Sequence, residues 1–368
     1  MEDAMQLIKD QLSDTGELAP VTPDVVQLFQ LRITHATPLP PMEFLFRIFG
    51  TPCFPRGELV AVAGKAKSGK TFFLSLLMAT ALQGQVLTIG KQATQSLRVM
   101  WYDTEQSEQS TQEILTQRIT PLLGDAPLPL LSDQLFAFNV RSVAWKERIT
   151  LLEQGIRFLH PDLVVLDGVR DLVDDINNGV CAQMVVERLM RMASQNQCCI
   201  VCVLHQNKGA DDRNMRGWIG TELMNKAFEV YACEKTMPGP IFCVEQTLTR
   251  KYDMPQLLCF SVNGQGLPVK SDPPADATKP TDRPPLNRTY IISKDNGFSI
   301  DLKSLFQQVL RNGPMYYTDL QTATMNELNC KDAHFWNKQF CMARQQGIII
   351  NSHNADGKSI WQLPLTPQ

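Results

Sequence analysis

The segment GKAKSGKT, residues 64–71, has the residue types and spacing of a phosphate-binding loop, G-x-x-x-x-G-K-[ST]. It follows the apolar run LVAVA and precedes FFLSLLMATAL, so it lies between a predicted strand and a predicted helix. In that position the backbone N–H groups of the turn and the positive end of the helix dipole both point at a bound phosphate. The sequence therefore predicts a nucleotide site rather than a chance match.

Most positions of this loop have an expected role. Gly69 lets the backbone approach the phosphates, Lys70 reaches the β- and γ-phosphates, and the Thr71 hydroxyl ligates Mg²⁺. We expect ATP and Mg²⁺ as cofactors. We expect the extra lysines, Lys65 and Lys67, to add positive field beside the γ-phosphate or to meet a neighbouring subunit. The predicted nucleotide-binding residues are Gly64, Lys65, Ala66, Lys67, Ser68, Gly69, Lys70, Thr71 and Phe72.

Two predicted strands end in acids that suit the chemistry of a triphosphate. The strand DLVVLD ends in Asp167 in the manner of a Walker B strand, and Asp167 would hold Mg²⁺ through water or hold Thr71 in place. The strand RVMWYD is followed by Glu105, which we expect to orient the water that attacks the γ-phosphate. The simpler interpretations are that Asp167 only ends its strand and that Glu105 only begins a helix, where negative charge is favourable.

A third strand, CCIVCVLH, ends in polar residues that would emerge beside the phosphates. His205 is followed by Gln206 and Asn207, and Gln206 is the candidate γ-phosphate sensor. Capping of the loop that follows is the alternative role for these side chains. The Cys199 and Cys202 pair of the same strand has CxxC spacing, but a zinc site needs a second pair, and residues three apart face opposite sides of a strand. We therefore expect buried, reduced cysteines that act as small hydrophobic residues.

The composition is that of an ordinary globular protein. Hydrophobic residues make up 43% and charged residues 20% of the 368 residues, and the formal net charge is −3. This charge argues against a whole surface that attracts nucleic acid, although a local basic face remains open. No apolar run of about 18 residues and no basic, then apolar, N-terminal leader is present. We expect a cytoplasmic protein without a membrane partner.

Between Glu58 and Val262, strand-like runs alternate with helical patterns, which predicts an α/β fold with a mainly parallel sheet covered on both faces. The last strands have no helices between them and predict an antiparallel extension at one edge. A short helix is expected over residues 1–20 and irregular, Pro-rich chain over residues 25–57. The predicted domains are residues 1–37 as an N-terminal arm, 38–267 as the ATPase domain, 268–298 as a Pro-rich linker and 299–368 as a winged-helix-like domain.

The order of the motifs resembles the RecA-type ATPase core: a P-loop, a strand ending in D-x-E, a Walker B strand, and a strand ending in H-Q-N. The lead-in PPMEFLFRIFGTPCFPRG and the later LVVLDGVRDLV are most similar to RecA-like ATPases of bacterial plasmids and mobile elements. Those proteins are relatives of the RepA-type hexameric replicative helicases and, more distantly, of DnaB. The resemblance implies that Glu105 is the catalytic base and that the polar residue after the fourth strand couples hydrolysis to a ligand-binding loop.

The same resemblance implies two further features. The segment GADDRNMRGWIG would hold a loop facing the channel of a ring, with Asp211, Asp212 and Arg213 at its tip; a plain exposed linker is the alternative. Arg250, followed by Lys251, would be a basic finger that reaches the γ-phosphate of a neighbouring subunit, because ATP bound between subunits needs charge from both sides. The adjacent basic pair departs from the K-x-R finger of DnaB, and a solvated pair is the alternative.

Three helical patterns and two short strand patterns after the linker have the arrangement of a winged helix. The third helix, KDAHFWNKQFCMARQQG, carries Lys331, His334, Lys338 and Arg344 and would enter the major groove of duplex DNA, with the turn at Lys358 at its flank. The module is not strongly basic as a whole, and Trp336 and Phe340 suit a core. Protein contact or packing onto the ATPase therefore stays open as its function.

Two classes of function agree with these features. The first is a ring-forming, ATP-driven motor on DNA, a helicase or helicase-like ATPase in the replication or mobilisation of a plasmid or mobile element, with a hexamer as the expected assembly. The second is a regulatory or partition-type ATPase that switches its assembly state without unwinding DNA. Lys65 resembles the extra lysine of ParA/MinD-type ATPases, but their loop has two glycines where this chain has Ala66 and Lys67.

Overall fold

The computed structural model describes residues 22–124, 133–207, 214–236, 240–274, 290–294, 297–328, 333–354 and 356–364. The predicted helix over residues 1–20, the loop tip Asp211–Arg213 and Lys331 lie outside the described residues, as do the side chains of His334 and Lys338. The chain divides into two units, residues 1–44 and residues 45–368.

The described part of the chain contains the following strands and helices. The strands are β1 (Phe44–Ile48), β2 (Thr51–Pro55), β3 (Leu59–Gly64), β4 (Gln85–Val86), β5 (Ile89–Lys91), β6 (Val99–Asp103), β7 (Leu135–Asn139), β8 (Leu163–Asp167), β9 (Cys199–His205), β10 (Glu229–Lys235), β11 (Phe242–Thr249), β12 (Leu258–Val262), β13 (Pro268–Lys270), β14 (Ile291–Lys294), β15 (Gly297–Ile300), β16 (Ile350–His353) and β17 (Ser359–Gln362). The helices are α1 (Pro23–Gln30), α2 (Lys70–Gln83), α3 (Glu108–Ile114, continued by a π-helical turn at Leu115–Ile119 and a last turn at Thr120–Leu122), α4 (Trp145–Leu159), α5 (Gly179–Asn196), α6 (Gly217–Lys226), α7 (Leu302–Val309), α8 (Tyr317–Glu327) and α9 (Ala333–Gln345).

The main sheet has nine strands in the described residues, in the order β13-β12-β11-β10-β3-β9-β8-β6-β7. The strands from β10 to β7 are parallel to one another, whereas β11, β12 and β13 continue the sheet in antiparallel fashion. Strands β3 and β8 are buried at every residue, which explains their uninterrupted apolar sequences. The predicted mainly parallel sheet with an antiparallel edge is therefore confirmed.

Helices cover both faces of this sheet, and each face has its own core. Val60 and Val62 of β3 point to the face on which α2 packs, and Ala61 and Ala63 point to the face covered by α5 and α6. This alternation follows from the two-residue period of a strand. Because α2 is buried on nearly all sides, the loop before it is attached to one of the most deeply packed elements of the protein.

The prediction of irregular chain over residues 25–57 was wrong in two places. Helix α1 begins where the Thr22 side chain accepts a hydrogen bond from the Val25 N–H (3.4 Å) and Pro23 fills the first helical position. Strands β1 and β2 belong to a small sheet of order β2-β1-β5-β4. The prolines of β2 suggested irregular chain, but β2 lies at the edge of this sheet, where a missing N–H is tolerated.

The cysteines depart from the prediction at one pair. Cys243 and Cys259 lie directly opposite each other on β11 and β12 and are joined by a disulfide, so the expectation of reduced cysteines does not hold there. Cys199 and Cys202 are free and fully buried, and burial raises the pKa of both thiols. The prediction that these two act as small hydrophobic residues is confirmed.

Residues 290–364 contain helices α7, α8 and α9 and the antiparallel pairs β14–β15 and β16–β17 in their described parts. Trp336 is fully buried, and its ring stacks on that of Phe340 with centroids 5.0 Å apart. These two aromatic residues are therefore core residues. Strands β13 and β14 occupy parts of the predicted linker, residues 268–298, and β13 pairs with β12.

Candidate functional site

The predicted site residues come together because parallel strands end at the same edge of the sheet. Gly64 at the end of β3 lies opposite His205 at the end of β9, and Asp103 at the end of β6 lies opposite Asp167 at the end of β8. The loop GKAKSGKT leaves β3 at this edge and enters α2. Ligands of open α/β sheets bind outside these carboxyl ends of the strands, so the edge is the expected position for a nucleotide.

The loop itself has the backbone shape of an anion cradle. Lys67 (φ 62°) and Gly69 (φ 96°) both have left-handed backbone conformations, and Lys70 begins α2 directly afterwards. A side chain at Gly64 would place its Cβ 2.6 Å from the backbone oxygen of Cys233, so only glycine fits there. The Ser68 hydroxyl is buried and has no hydrogen-bond partner among the described residues. A bound phosphate oxygen would supply that partner, so the loop fits the nucleotide it was predicted to hold.

Lys70 is held at the base of the cradle by oxygen and nitrogen atoms. Its Nζ donates to the backbone oxygens of Gly64 and Lys65 (3.0 Å each) and lies 3.2 Å from Nδ1 of His205. Burial lowers the pKa of Lys70, and the carboxylates of Glu105 and Asp167 act in the opposite direction. The anionic phosphates of a nucleotide would add to that second effect.

His205 connects Lys70 to Glu105. An ammonium group can only donate, so Nδ1 of His205 accepts and the ring proton of a neutral imidazole lies on Nε2. Nε2 is 3.6 Å from the Glu105 carboxylate. Hydrogen bonding to His205 lowers the pKa of Glu105, and Lys70 lowers it further, so the carboxyl stays ionised.

Gln206, the predicted sensor, points elsewhere. It is buried, and its backbone pairs with that of Met215 in an isolated antiparallel β-bridge. It lines a cavity on the sheet face opposite α2, together with Met224 and Leu248. His205, the residue before it, is the one that contacts Lys70, because successive residues of a strand face opposite sides. The sequence signal for His205 is that it is the polar residue ending an apolar run, and in the structure it is the first residue of β9 to emerge from the core.

Asp167 is 4% exposed, and burial raises its pKa to about 7, with the neighbouring carboxylates of Asp103 and Glu105 adding to the shift. Thr71 and Asp167 together offer the oxygen donors that Mg²⁺ prefers. No group of three or more His, Cys, Asp or Glu side chains that could hold a metal occurs among the described residues. The donors present therefore suit a magnesium ion that is completed by phosphate oxygens and water.

Asp103 fixes the turn that presents Glu105, a role that the sequence did not reveal. One carboxylate oxygen accepts hydrogen bonds from the backbone N–H groups of Glu105 and Gln106 (3.1 Å each). The other accepts from the Thr111 hydroxyl (2.7 Å), which also receives a bond from the Asn139 side chain (2.8 Å). The backbone of Glu105 is thereby tied to β6, β7 and α3.

A cavity of about 380 Å³ lies in front of the loop and is strongly basic. Arg118 from the π-helical turn of α3 and Lys235 from the end of β10 face the same cavity as Lys70, and neither was predicted. Lys235 could have been noticed as the basic end of a strand beside β3. The lining residues are Lys67, Ser68, Gly69, Lys70, Thr71, Phe72, Gln106, Ile114, Arg118, Lys235 and Phe242.

Arg250, the predicted finger, binds the end of a helix within its own chain. Its guanidinium donates to the backbone oxygens of Asn225 (3.2 Å), Lys226 (3.3 Å) and Ala227 (3.4 Å), at the carboxyl end of α6. Cations are favourable at that end of a helix. To reach a neighbouring subunit, the Arg250 side chain would have to break these three hydrogen bonds.

The described geometry agrees with a comparison to known protein families. Residues 36–211 match a family model described as an AAA domain. The matched segment includes the loop, Glu105, Asp167 and His205, and the match supports a nucleotide-binding ATPase. No curated protein matches the chain. None of the helices in the described residues is both long and apolar enough to cross a membrane.

Proposed function

We propose that this protein binds Mg²⁺·ATP in the loop GKAKSGKT and hydrolyses it with Glu105, as a RecA-type ATPase. The observation that carries the proposal is the connected set Lys70–His205–Glu105 (3.2 Å and 3.6 Å) beside the phosphate loop. Their joint position suits a γ-phosphate on one side and an attacking water on the other.

In this mechanism each residue has a separate task. The backbone N–H groups of the loop and Lys70 bind the phosphates. Thr71 and Asp167 would hold Mg²⁺, which when bound would offset the charge that develops during phosphoryl transfer. Glu105 accepts a hydrogen bond from the attacking water and positions it in line with the γ-phosphate. When the γ-phosphate binds Lys70, His205 loses that contact and keeps its neighbour Glu105 at 3.6 Å, so nucleotide binding is transmitted to the catalytic carboxylate.

The finer proposal is a ring-forming motor on DNA, related to the helicases of plasmids and mobile elements and acting in the cytoplasm. It is supported by the order of the motifs and by the need for charge from a second subunit at a shared ATP site. The C-terminal residues 299–368 would be a winged-helix module that contacts duplex DNA or a protein. In the ring, Arg250 exchanges the carbonyls of α6 for the γ-phosphate of the neighbour.

A regulatory ATPase that changes its assembly state without unwinding DNA is the second candidate. The observation that favours it is the triple contact of Arg250 with the end of α6, which costs hydrogen bonds to release. Size analysis of the full chain with and without an ATP analogue and single-stranded DNA separates the two candidates. A DNA-stimulated hexamer that opens a forked duplex supports the motor, and nucleotide-dependent assembly without DNA stimulation supports the regulator.

ATP hydrolysis itself is tested by replacing the cradle lysine. We expect Lys70→Ala to reduce hydrolysis by at least about 100-fold, the usual effect of removing a charge from a phosphate site. Lys146→Ala, on the exposed start of α4, is the matched control and should retain full activity. Hydrolysis by Lys70→Ala at the unmodified rate would refute the nucleotide site.

A further inference from the structure

A disulfide joins two strands beside the phosphate cavity. Cys243 of β11 and Cys259 of β12 occupy opposite positions, and their sulfurs are bonded. Strands β11 and β12 lie wholly within the described residues and pair at three positions on each strand, of which the cysteines form the central pair. A covalent link at the centre of so short a pairing fixes the register of the two strands.

A pair of stacked aromatic rings lies next to the disulfide in the same two strands. Phe242 precedes Cys243, Phe260 follows Cys259, and the two phenylalanines are opposite each other in the β11–β12 register. Their rings are inclined by 17°, with centroids 5.4 Å apart. Since neighbouring residues of a strand face opposite sides, the rings lie on the sheet face that α2 covers and the disulfide lies on the other face. The stacking of the rings thus depends on the register that the disulfide fixes.

The stacked rings pack against the phosphate loop and the first turn of α2. The Phe72 ring lies against both of them, with its centroid 5.5 Å from that of Phe242 and 6.2 Å from that of Phe260. A side chain at Gly69 would place its Cβ 2.5 Å from the Phe242 ring, so this ring fills the space beside the left-handed turn of the loop. Gly69 and Phe72 flank the two loop residues that contact the γ-phosphate and Mg²⁺ in the proposed mechanism.

The remaining cysteines of the described residues are thiols. Seven are free, including Cys233 of the neighbouring strand β10 and the exposed Cys341. Disulfides are rare in proteins of reducing compartments, and those that form there are usually transient and catalytic or redox-sensing. A single bonded pair beside a ligand cavity, in a chain whose other described cysteines are free, fits that class.

We propose that the Cys243–Cys259 pair is a redox switch of nucleotide binding, in which the disulfide holds the phosphate loop in its binding conformation and reduction weakens the affinity for Mg²⁺·ATP. The switch rests on the proposed nucleotide site and adds regulation to it. In the reduced form β11 and β12 are no longer covalently joined, so their short pairing can shift or separate. The Phe242 ring then loses its fixed position against Gly69, and the loop loses the support that shapes it.

Reduction proceeds by thiol–disulfide exchange with a dithiol reductant. A thiolate of the reductant attacks the sulfur of Cys243, the more exposed of the two residues (7% against 3%), and the bond between the two cysteine sulfurs breaks. Cys259 leaves as a thiolate and takes up a proton. The second thiol of the reductant loses its proton and attacks the reductant sulfur of the mixed disulfide, which releases Cys243 as a thiolate that is protonated in turn. The reductant is oxidised by two electrons, and the protein disulfide becomes two thiols.

The experiment measures the binding of Mg²⁺·ATP to the full chain by calorimetry, after treatment with oxidised glutathione or with dithiothreitol. Counting of free thiols confirms the redox state, since reduction of the pair exposes two more thiols. We expect the reduced protein to bind about tenfold more weakly, which lies within the usual range of a regulatory coupling. The double variant Cys243→Ser and Cys259→Ser should bind as the reduced protein does under both treatments. Cys341→Ser, on the exposed face of α9, is the matched control and should keep the full response.

Three results would overturn the switch. The first is equal affinity of the oxidised and reduced proteins, or tighter binding by the reduced one, which the unmodified protein shows without any variant. The second is a double variant that still responds to the reductant, because another cysteine is then responsible. The third is a failure of oxidised glutathione to join the pair.

A separate variant distinguishes failure of the switch from failure of the nucleotide site. If the oxidised protein binds Mg²⁺·ATP equally well with and without Lys70→Ala, the proposed nucleotide site is wrong. If Lys70→Ala abolishes binding while reduction leaves the affinity of the unmodified protein unchanged, only the switch is refuted.

Discussion

The ammonium of Lys70 and the imidazole of His205 are in contact, with 3.2 Å between Nζ and Nδ1. The other ring nitrogen faces Glu105 at 3.6 Å, so one histidine touches both the group that binds phosphate and the group that activates water. A contact of this kind lets the arrival of a γ-phosphate alter the surroundings of the catalytic carboxylate.

Removing the connecting histidine should impair hydrolysis more than binding. We expect His205→Ala to lower kcat by about ten- to a hundredfold through misplacement of Glu105, with a change in KM for ATP below about threefold. Steady-state ATPase assays measure both constants, and His353→Ala on the exposed strand β16 is the control. An unchanged kcat would show that His205 does not position Glu105.

Binding of Mg²⁺·ATP should release a proton from Asp167. The pKa of Asp167 is about 7 in the free protein, raised by burial and by Asp103, and only the ionised carboxylate binds a metal. Affinity should therefore rise about tenfold per pH unit below pH 7 and level off above it. Calorimetry in buffers of different ionisation enthalpy measures the released proton. Asp167→Asn provides the comparison, because protons released by the nucleotide itself are the same for the variant and the unmodified protein. Equal proton release by the two proteins would show that the proton does not come from Asp167.

The turn that presents Glu105 should depend on Asp103. Asp103→Ala leaves the N–H groups of Glu105 and Gln106 and the Thr111 hydroxyl without their acceptor, at a cost of about 1–3 kcal/mol in the free energy of unfolding. Hydrolysis should fall while ATP binding persists. Urea unfolding and ATPase assays test both effects, with Asp356→Ala in the exposed β16–β17 turn as control. Full stability with full activity would show that the turn is held by other groups.

A buried carboxyl on β10 should make stability depend on pH. Glu229 is 0% exposed, and one of its oxygens accepts hydrogen bonds from the Phe54 N–H (2.9 Å) and the Tyr231 hydroxyl (3.0 Å). Burial raises its pKa from 4.5 to about 7. The folded state thus binds the proton more tightly than the unfolded state, and this stabilisation is complete below pH 4.5 and lost as the pH rises to about 7.

Glu229→Gln keeps the oxygen acceptor but cannot ionise. The variant should therefore become more stable than the unmodified protein as the pH rises, by at most about 3 kcal/mol above pH 7, since each pKa unit corresponds to about 1.4 kcal/mol. Urea unfolding at pH 5 and pH 8 measures the difference, and Glu147→Gln on the exposed face of α4 is the control. Parallel pH dependences of Glu229→Gln and the unmodified protein would refute an ionising Glu229.

The sequence predicts those features of the fold and the site that depend on residues close together in the chain. Lys70 and Asp167 could be recognised because each follows an apolar strand directly, and the parallel sheet follows from the alternation of strands and helices. The choice between His205 and Gln206 depends on which face of β9 is buried, which spacing alone does not decide. Arg118 faces the cavity from a π-helical turn, and no periodicity in the sequence predicts such a turn.

The remaining differences have a similar cause. The hairpin of β1 and β2 was missed because prolines mark irregular chain unless the strand is known to lie at an edge. The resemblance to RecA-like rings predicts that Arg250 reaches a neighbouring subunit, and the carbonyls at the end of α6 that it binds here come close to it only in the folded chain. Tertiary contacts of this kind cannot be predicted from sequence motifs or from hydrophobic periodicity.

The most direct test of the central claim is to separate ATP binding from ATP hydrolysis at Glu105. Glu105→Gln keeps the size of the side chain and removes its charge, whereas Glu108→Gln at the exposed start of α3 is the matched control. We expect Glu105→Gln to bind Mg²⁺·ATP within a few-fold of the unmodified protein and to hydrolyse it about 100- to 1,000-fold more slowly in single-turnover assays. Hydrolysis by Glu105→Gln at the rate of the Glu108→Gln control would contradict the account.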